Sequence, residues 1–264
     1  MTWEEIIIEI RKDTNYKDLV NYAYFDEDLV LNVERFIKRE EWFETKKLLV
    51  AKNALHKGMM VLDIGAGNGI STIAFALEGL NVTAIEPDNS ITIGANAIRD
   101  LAKKYKLENN INVIESFGEK MPLSSESFDI VYIRQTMHHA ENLGLFLKEV
   151  SRVLKPGGIL LTVRDHVVND EKQKNEFLNQ HPLHKYYGGE NAFSLKEYID
   201  SIELAGLNVI KILGPLDSPI NYYPLESKLP KLLFSLKLAF LKVVKNNFKH
   251  RAGRLYSFLA IKQK

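Results

Sequence analysis

Residues 59–69, Met-Met-Val-Leu-Asp-Ile-Gly-Ala-Gly-Asn-Gly, join a short apolar run and one acid to three glycines on alternate positions. Val61, Leu62 and Ile64 suit a strand covered on both faces, while Gly65, Gly67 and Gly69 allow a sharp turn whose backbone lies directly against a ligand. A helix beginning at Ile70 would aim its amide end at the same ligand. A glycine-rich turn by itself is a weak signal, and a second acid strengthens it. Glu86 closes the next strand-like run, Asn81-Val82-Thr83-Ala84-Ile85-Glu86, where α/β nucleotide folds place a carboxylate that accepts two ribose hydroxyls. The chemistry expected of the pair is capture of a nucleoside cofactor.

The dinucleotide fingerprint needs glycine at its first, third and sixth positions, and the sixth here is Ile70. Asp63 sets a further negative charge beside the turn, which disfavours a pyrophosphate and suits a cofactor bearing an ammonium and a sulfonium, namely S-adenosylmethionine. Later segments extend the pattern: Glu119-Lys120-Met121-Pro122-Leu123, Ser127-Phe128-Asp129-Ile130-Val131-Tyr132, the pair His138-His139, and Glu149 to Leu161 with Lys155-Pro156-Gly157-Gly158 at its centre. Over about residues 58–165 the chain resembles the class I S-adenosylmethionine-dependent methyltransferases, in particular the type 11-like group that includes quinone, sterol and small-molecule methyltransferases.

The resemblance implies a cofactor site made of Asp63, Gly65, Ala66, Gly67, Gly69, Glu86, Pro87, Phe117, Gly118, Glu119 and Arg134. Arg134 would hold an anionic substrate group or the carboxylate of the cofactor's methionine end. That family commonly has an acid before the small residue of its third-strand loop, where it holds the adenine amino group; here Phe117 precedes Gly118. Adenine would then stack on Phe117 and meet backbone amides near Gly118 and Glu119. The reading is methyl transfer from S-adenosylmethionine to a small-molecule or lipid-linked acceptor, and the alternative is a non-catalytic S-adenosylmethionine-binding regulatory or partner protein.

Methyl transfer is an in-line displacement from an activated carbon, so the protein must align a nucleophile, remove its proton where necessary and exclude water. Imidazole titrates near neutral pH, which makes histidines the candidate bases. His138 and His139 follow the fourth strand and Asp165-His166 the fifth; the catalytic candidates are His166 and His139, with a helix-start packing role an equal reading for the 138–139 pair. Residues 179–191 are dense in polar, aromatic and hinge residues and read as a lid or a plain surface loop, with His181, His184 and Tyr187 as substrate contacts. His181 and His184 stand at a spacing that suits a metal on a helix, but Pro182 and the nearby glycines argue against a helix and no third ligand is evident, so no metal is expected.

These residues need a scaffold that brings strand ends together. Alternating strands and helices over 58–165 imply a parallel sheet with right-handed crossovers and a ligand at the strands' carboxyl ends. The expected fold is α/β, a Rossmann-like seven-stranded, mostly parallel sheet with an antiparallel edge formed by strands 208–213 and 254–261. Residues 1–56 read as a helical N-terminal cap with helices at Trp3–Arg11, from near Asp26, and at Glu34–Leu55; residues 57–264 form the cofactor domain. Val167–Asn191 reads as loop, followed by a helix opening on a Ser194-x-x-Glu197 capping box.

The chain has 264 residues with an apolar share of 45% and 26% charged residues, which suits one soluble core with a cap. It has no cysteine, which excludes disulfides, thiolate zinc sites and cysteine nucleophiles. The acid-bearing start Met-Thr-Trp-Glu-Glu and the lack of any apolar run of roughly 18 residues point to the cytoplasm. Ten of the 35 basic residues and none of the 34 acids follow Glu226, so the preceding part carries 25 basic and 34 acidic groups, a balance of −9. The basic end includes a helical insertion at about 215–250. Within it, residues 230–249 set Leu233, Leu236, Phe240, Val243 and Val244 on one side and Lys231, Lys242, Lys245 and Lys249 on the other. This face suits peripheral contact with an anionic membrane, but the preferred reading is a cap packed over the site with its lysines solvated; RNA binding is a weaker third reading, given the acidic body and the lack of an RNA-reading module. No DNA partner is expected, because Arg134-Gln135-Thr136-Met137 stands where nucleic-acid base methyltransferases carry an Asn-Pro-Pro-Tyr-type loop.

Overall fold

Short runs of branched apolar residues become parallel strands because helices cover both of their faces. In a computed structural model that describes residues 2–187, 189–221 and 252–263, β1 (Met60–Ile64) pairs in parallel with β2 (Asn81–Ile85) on one side and β4 (Phe128–Arg134) on the other. Beyond β2 lies β3 (Ile111–Ile114), and beyond β4 lies β5 (Leu154–Val168). The last strand, β8 (Arg254–Lys262), runs antiparallel between β5 and β7 (Leu207–Leu213), giving the order β3-β2-β1-β4-β5-β8-β7. A two-residue strand, β6 (Phe193–Ser194), also pairs with β5, so the sheet has eight strands rather than the expected seven. The mostly parallel sheet and its antiparallel edge are as the sequence implied.

Period-two alternation divides the core. Val61, Ile130, Tyr132, Ile159 and Leu161 face α3 (Leu29–Ile37), α4 (Glu40–Val50) and α5 (Ile70–Leu77). Leu62, Ile64, Val131, Ile133 and Leu160 face α7 (Leu143–Val153) and α10 (Leu195–Leu204). The α10 capping box forms with both arms: Glu197 N donates to Ser194 Oγ at 3.1 Å and Ser194 N to Glu197 Oε2 at 2.7 Å.

The N-terminal segment is helical, but the stretch expected as one helix over 34–55 breaks. Arg39 is extended (φ −86°, ψ 150°), ending α3 and starting α4 so that Trp42 turns back onto Phe36 at a ring separation of 5.5 Å. Contacts continue from Trp42 to Phe75 (4.9 Å) and Tyr132 (5.1 Å), fixing these helices to the sheet. Before them lie α1 (Trp3–Lys12) and α2 (Lys17–Ala23).

The stretch expected as a loop over 167–191 is largely helical. β5 runs on to Val168, and α8 (Glu171–Gln180) and α9 (Pro182–Tyr187) follow. Asp170 caps α8 by accepting from Gln173 N at 2.8 Å. Pro182 does not forbid α9 because it is the first residue, where its missing N–H has no intrahelical partner to lose. The insertion helix read at 230–249 falls within 222–251, outside the described residues. Among the described residues no helix is long and apolar enough to cross a membrane.

Candidate active site

The carboxyl ends of β1, β2, β4 and β5 open into a cavity of about 1240 Å³. Its floor at one end is the glycine turn. Gly65 sits at φ 66°, and a Cβ there would run into the Thr136 side chain, so this position excludes every other residue on two counts. At Gly67, φ 55°, a Cβ would meet only a carbonyl oxygen at 4.0 Å, so space remains above the backbone for a ligand.

The two acids divide their work. Asp63 is fully buried beneath the turn, and its Oδ2 accepts from Ser71 Oγ and Thr72 Oγ1, both at 2.7 Å, so it anchors the start of α5 rather than lining the cavity. Burial pushes its carboxyl up to about 6, against those hydroxyl bonds. Glu86 lines the cavity just past β2. Its Oε2 accepts from Gly67 N at 2.7 Å and its Oε1 from Asp88 N at 3.0 Å, which aims the carboxylate across the turn. Desolvation raises it to about 7, although both backbone bonds oppose the shift.

Ala66, Pro87, Phe117, Gly118 and Glu119 also line this end. Phe117 is 70% exposed, an apolar ring left uncovered at the cavity mouth where stacking on a flat base would bury it. Glu119 accepts from Glu141 N at 3.0 Å and so braces the loop before α7. Arg134 reaches the cavity, but its guanidinium is clasped by the buried Glu41: Nε to Oε1 at 2.7 Å and Nη2 to Oε2 at 3.2 Å. Arg164 Nη1 donates to the same carboxylate at 3.0 Å. Burial opposes charge on Glu41, yet the two guanidinium groups hold its carboxyl below the usual range. The structure gives Arg134 a structural partner instead of the open guanidinium expected for holding an anionic group of cofactor or substrate.

The other end is made of side chains. β5 carries a bulge in which Thr162 pairs with Phe258 and Asp165 with Tyr256, and Arg164 lies between them at φ 65°. The extra residue breaks strict alternation, sending Arg164 to Glu41 while Asp165 reaches a 3-10 turn over Met137–His139. Asp165 Oδ1 accepts from His138 N at 3.2 Å and pairs with His138 Nδ1 at 3.1 Å. The other ring nitrogen of His138 faces Glu190 Oε2 at 3.4 Å. Burial works against the charged imidazole, but Asp165 and Glu190 outweigh it and raise His138 to about 9. The packing role expected of this pair is therefore a buried polar contact, and His138 is a poor proton acceptor.

His166 and His139 behave differently. His166 donates from Nδ1 to Gly253 O at 2.9 Å and is driven well below its ordinary value, first by burial and then by charged His138. His139 pairs through Nδ1 with Gly189 O at 3.0 Å and is lowered for the same two reasons. In both the shift favours the neutral imidazole, whose Nε2 can accept a proton, as a base must.

Of the expected substrate contacts, His181 lines the cavity and its Nδ1 lies 3.7 Å from Glu190 Oε1. His184 does not line it. The Tyr187 side chain and Gly188 lie outside the described residues. Asp165 and Glu190, both buried, had no assigned role in the sequence, because each acquires one only by meeting histidines from other segments. An acid beside His166 and an acid inside the lid segment were the available signals.

Residues 62–162 match the family model described as a methyltransferase domain. This region is similar to methyltransferase domains. Uncharacterized methyltransferase YcgJ of Bacillus subtilis is 31% identical over 125 residues, covering 45% of each chain. The ubiquinone/menaquinone biosynthesis C-methyltransferase UbiE of Shewanella frigidimarina is 27% identical over 155 residues, covering 57% of each. The chain thus spans about half the length of these curated relatives. The fold is also that of geranyl diphosphate C-methyltransferase from Streptomyces coelicolor, at TM-score 0.62 and 16% identity over 83% of this chain and 76% of that one. The methyltransferase domain therefore includes the glycine turn, Glu86 and His138, while Glu41, His166, His181 and Glu190 lie outside the matched span.

Proposed function

We propose that the chain transfers a methyl group from S-adenosylmethionine to a small-molecule or lipid-linked acceptor. The observation that carries this reading is the joint placement of the left-handed glycine turn and the Glu86 carboxylate at one end of a cavity whose other end holds histidine imidazoles. The residues present fit the cofactor: Gly67 leaves the backbone open, Glu86 offers acceptors for paired hydroxyls, and Phe117 presents an uncovered ring. S-adenosylmethionine, when bound, supplies a sulfonium-activated methyl carbon.

The chain's own residues then have distinct tasks. Glu86 and the turn bind and orient the nucleoside end. Trp3, Leu19 and Phe25 of the N-terminal segment, with Phe177 and Leu183 of α8 and α9, wall the cavity with apolar surface and exclude water. His166 Nε2 or His139 Nε2 takes a proton from an acceptor hydroxyl, amine or acidic carbon. Imidazoles that line the cavity opposite the glycine turn favour turnover over simple cofactor capture, because a pure binding module has no use for a proton acceptor there.

Calorimetry with S-adenosylhomocysteine tests the binding half of this reading. Removing a charged, bidentate acceptor should weaken binding by about 1.5–3 kcal/mol, so Glu86→Ala should raise Kd roughly tenfold or more. Unchanged affinity in that variant, or tight NAD binding by the native chain, sinks the assignment. Turnover is tested by a mass-spectrometric search of cell extracts for a product heavier by one methylene that requires both protein and cofactor. A lipid-linked acceptor is favoured by the basic face read from the sequence at 230–249, and sedimentation with anionic but not neutral vesicles at low salt is its expected signature.

A further inference from the structure

The far end of the cavity holds more titratable groups than proton transfer requires. Four histidines from three segments, His138, His139, His166 and His181, surround the single buried carboxylate of Glu190. We propose that Glu190 and these histidines form a binding site for one divalent transition-metal ion. The site stands on geometry alone; an ion held there would occupy the Nε2 lone pairs and so take the place of proton removal by His139 or His166, and only that use, polarising the methyl acceptor, rests on the function proposed above.

Two overlapping triads, His138–His139–Glu190 and His166–His181–Glu190, each bring three potential ligand atoms within 4.8 Å of one another. Three of the imidazoles are oriented in the manner of metal ligands. Nδ1 faces an oxygen acceptor in each: Asp165 Oδ1 at 3.1 Å for His138, Gly189 O at 3.0 Å for His139 and Gly253 O at 2.9 Å for His166. Bonding on that side leaves Nε2 as the ligating atom, as outer-sphere partners do in histidine metal sites; at His138 the ion would displace the proton that Nε2 directs at Glu190. Glu190 Oε2 is buried with no hydrogen bond, 3.4 Å from His138 Nε2 and 3.9 Å from His139 Nε2. Ligands about 2.0–2.2 Å from a shared ion stand a little over 3 Å apart, so the 3.4 Å separation of His138 from Glu190 already suits a shared ion and the rest of the first triad, within 4.8 Å, closes by side-chain adjustment. His181 Nδ1, in the second triad, is likewise buried without a hydrogen bond, 3.7 Å from Glu190 Oε1.

Charge points the same way. Asp165 and Glu190 bring two negative charges into a buried cluster whose imidazoles must be neutral to ligate, and a divalent ion balances both. Imidazole nitrogen with one carboxylate suits zinc, iron, cobalt or nickel better than magnesium or calcium, which favour all-oxygen sets. The cluster lines the cavity, so a bound ion would keep a position open to an acceptor oxygen or nitrogen.

The test uses the full chain stripped of metal, titrated with Zn²⁺ by calorimetry and with Co²⁺ by visible absorption. One ion per chain and a Co²⁺ band typical of low coordination number are expected, with a higher unfolding temperature in the presence of Zn²⁺. Glu190→Gln, shared by both triads and nearly isosteric, should weaken Zn²⁺ binding at least tenfold while circular dichroism shows it folded. His56→Ala, an exposed histidine before β1, should leave binding unchanged and so exclude surface histidines as the source. No Co²⁺ band in the native chain, or equal Zn²⁺ affinity in Glu190→Gln, overturns the proposal and leaves the cluster an imidazolium–carboxylate ion pair. S-adenosylhomocysteine binding measured on the same samples separates the two ideas: loss of that binding alone sinks the methyl-transfer reading and leaves the ion site standing.

Discussion

The two ends of the cavity are built by different means. The nucleoside end is mostly backbone: a turn fixed by Gly65 and Gly67, amides of Gly67 and Asp88, and one carboxylate that those amides aim. The histidine end is side chains held by other side chains, with Asp165 paired to a histidine 27 residues away and Glu190 arriving from beyond α9. On the function proposed above, the backbone cradle would recognise what all reactions of this kind share, the cofactor. A side-chain cluster can be rewritten one residue at a time, which suits the part that meets a particular acceptor.

Independent substitution is the way to break that contrast. The largest effect is expected at His166: replacement by Ala should lower the methylation rate about 10²–10⁴-fold, the usual worth of a positioned base, while S-adenosylhomocysteine affinity stays as in the native chain. A parallel loss of cofactor affinity would show that the two ends are one unit. Gly65→Val comes next, because it adds left-handed strain to a clash with Thr136. We expect roughly 2–5 kcal/mol of lost stability in denaturant unfolding, together with loss of cofactor binding. A stable, binding-competent Gly65→Val protein would mean the turn is less tightly specified than its geometry indicates.

The smallest effect is in pH. Glu86 is raised to about 7, so the folded, ligand-free chain prefers its protonated form. This group therefore adds stability at acid pH that is lost as pH rises from its unfolded value, near 4.5, through about 7. Cofactor affinity runs the other way if the ionised form accepts the ribose hydroxyls: it should fall by roughly tenfold per unit below pH 7. Calorimetry between pH 5.5 and 8 reads this slope, and a flat profile in Glu86→Gln assigns it to Glu86.

The same contrast explains what could be read in the sequence. Gly65, Gly67, Glu86 and Phe117 were legible because each acts through a feature local to its own segment: a turn, a strand end, a loop. The parallel sheet and its strand ends were legible for the same reason. The pairing of Arg134 with Glu41 was not, since the two are 93 residues apart and no periodicity connects them. The bulge at Arg164 hid the separate destinations of Arg164 and Asp165 inside an ordinary apolar strand, and the single helix read over 34–55 missed the break at Arg39. Pro182 misled because a proline that starts a helix and one that ends it look alike in sequence.

The Glu41 clasp also bears on how molecules reach and leave the cavity. α4 is tied to the ends of β4 and β5 through a carboxylate locked between two guanidinium groups, and lifting it would strand three buried charges. That side of the enclosure is a fixed wall. The opposing side joins α1 to α9 through the apolar contacts of Leu183 with Ile6, Ile7 and Ile10 and an edge-on pair of rings, Tyr16 and Tyr186. Parting this seam exposes apolar surface and separates the two phenols but, among the described residues, breaks no ion pair between α1 and α9, so it is the lower barrier and the natural gate. Amide exchange should accordingly be faster across 182–187 than across 40–50, and a disulfide engineered across the α1–α9 seam should trap bound cofactor, whereas stapling α4 to the sheet should leave its release unchanged.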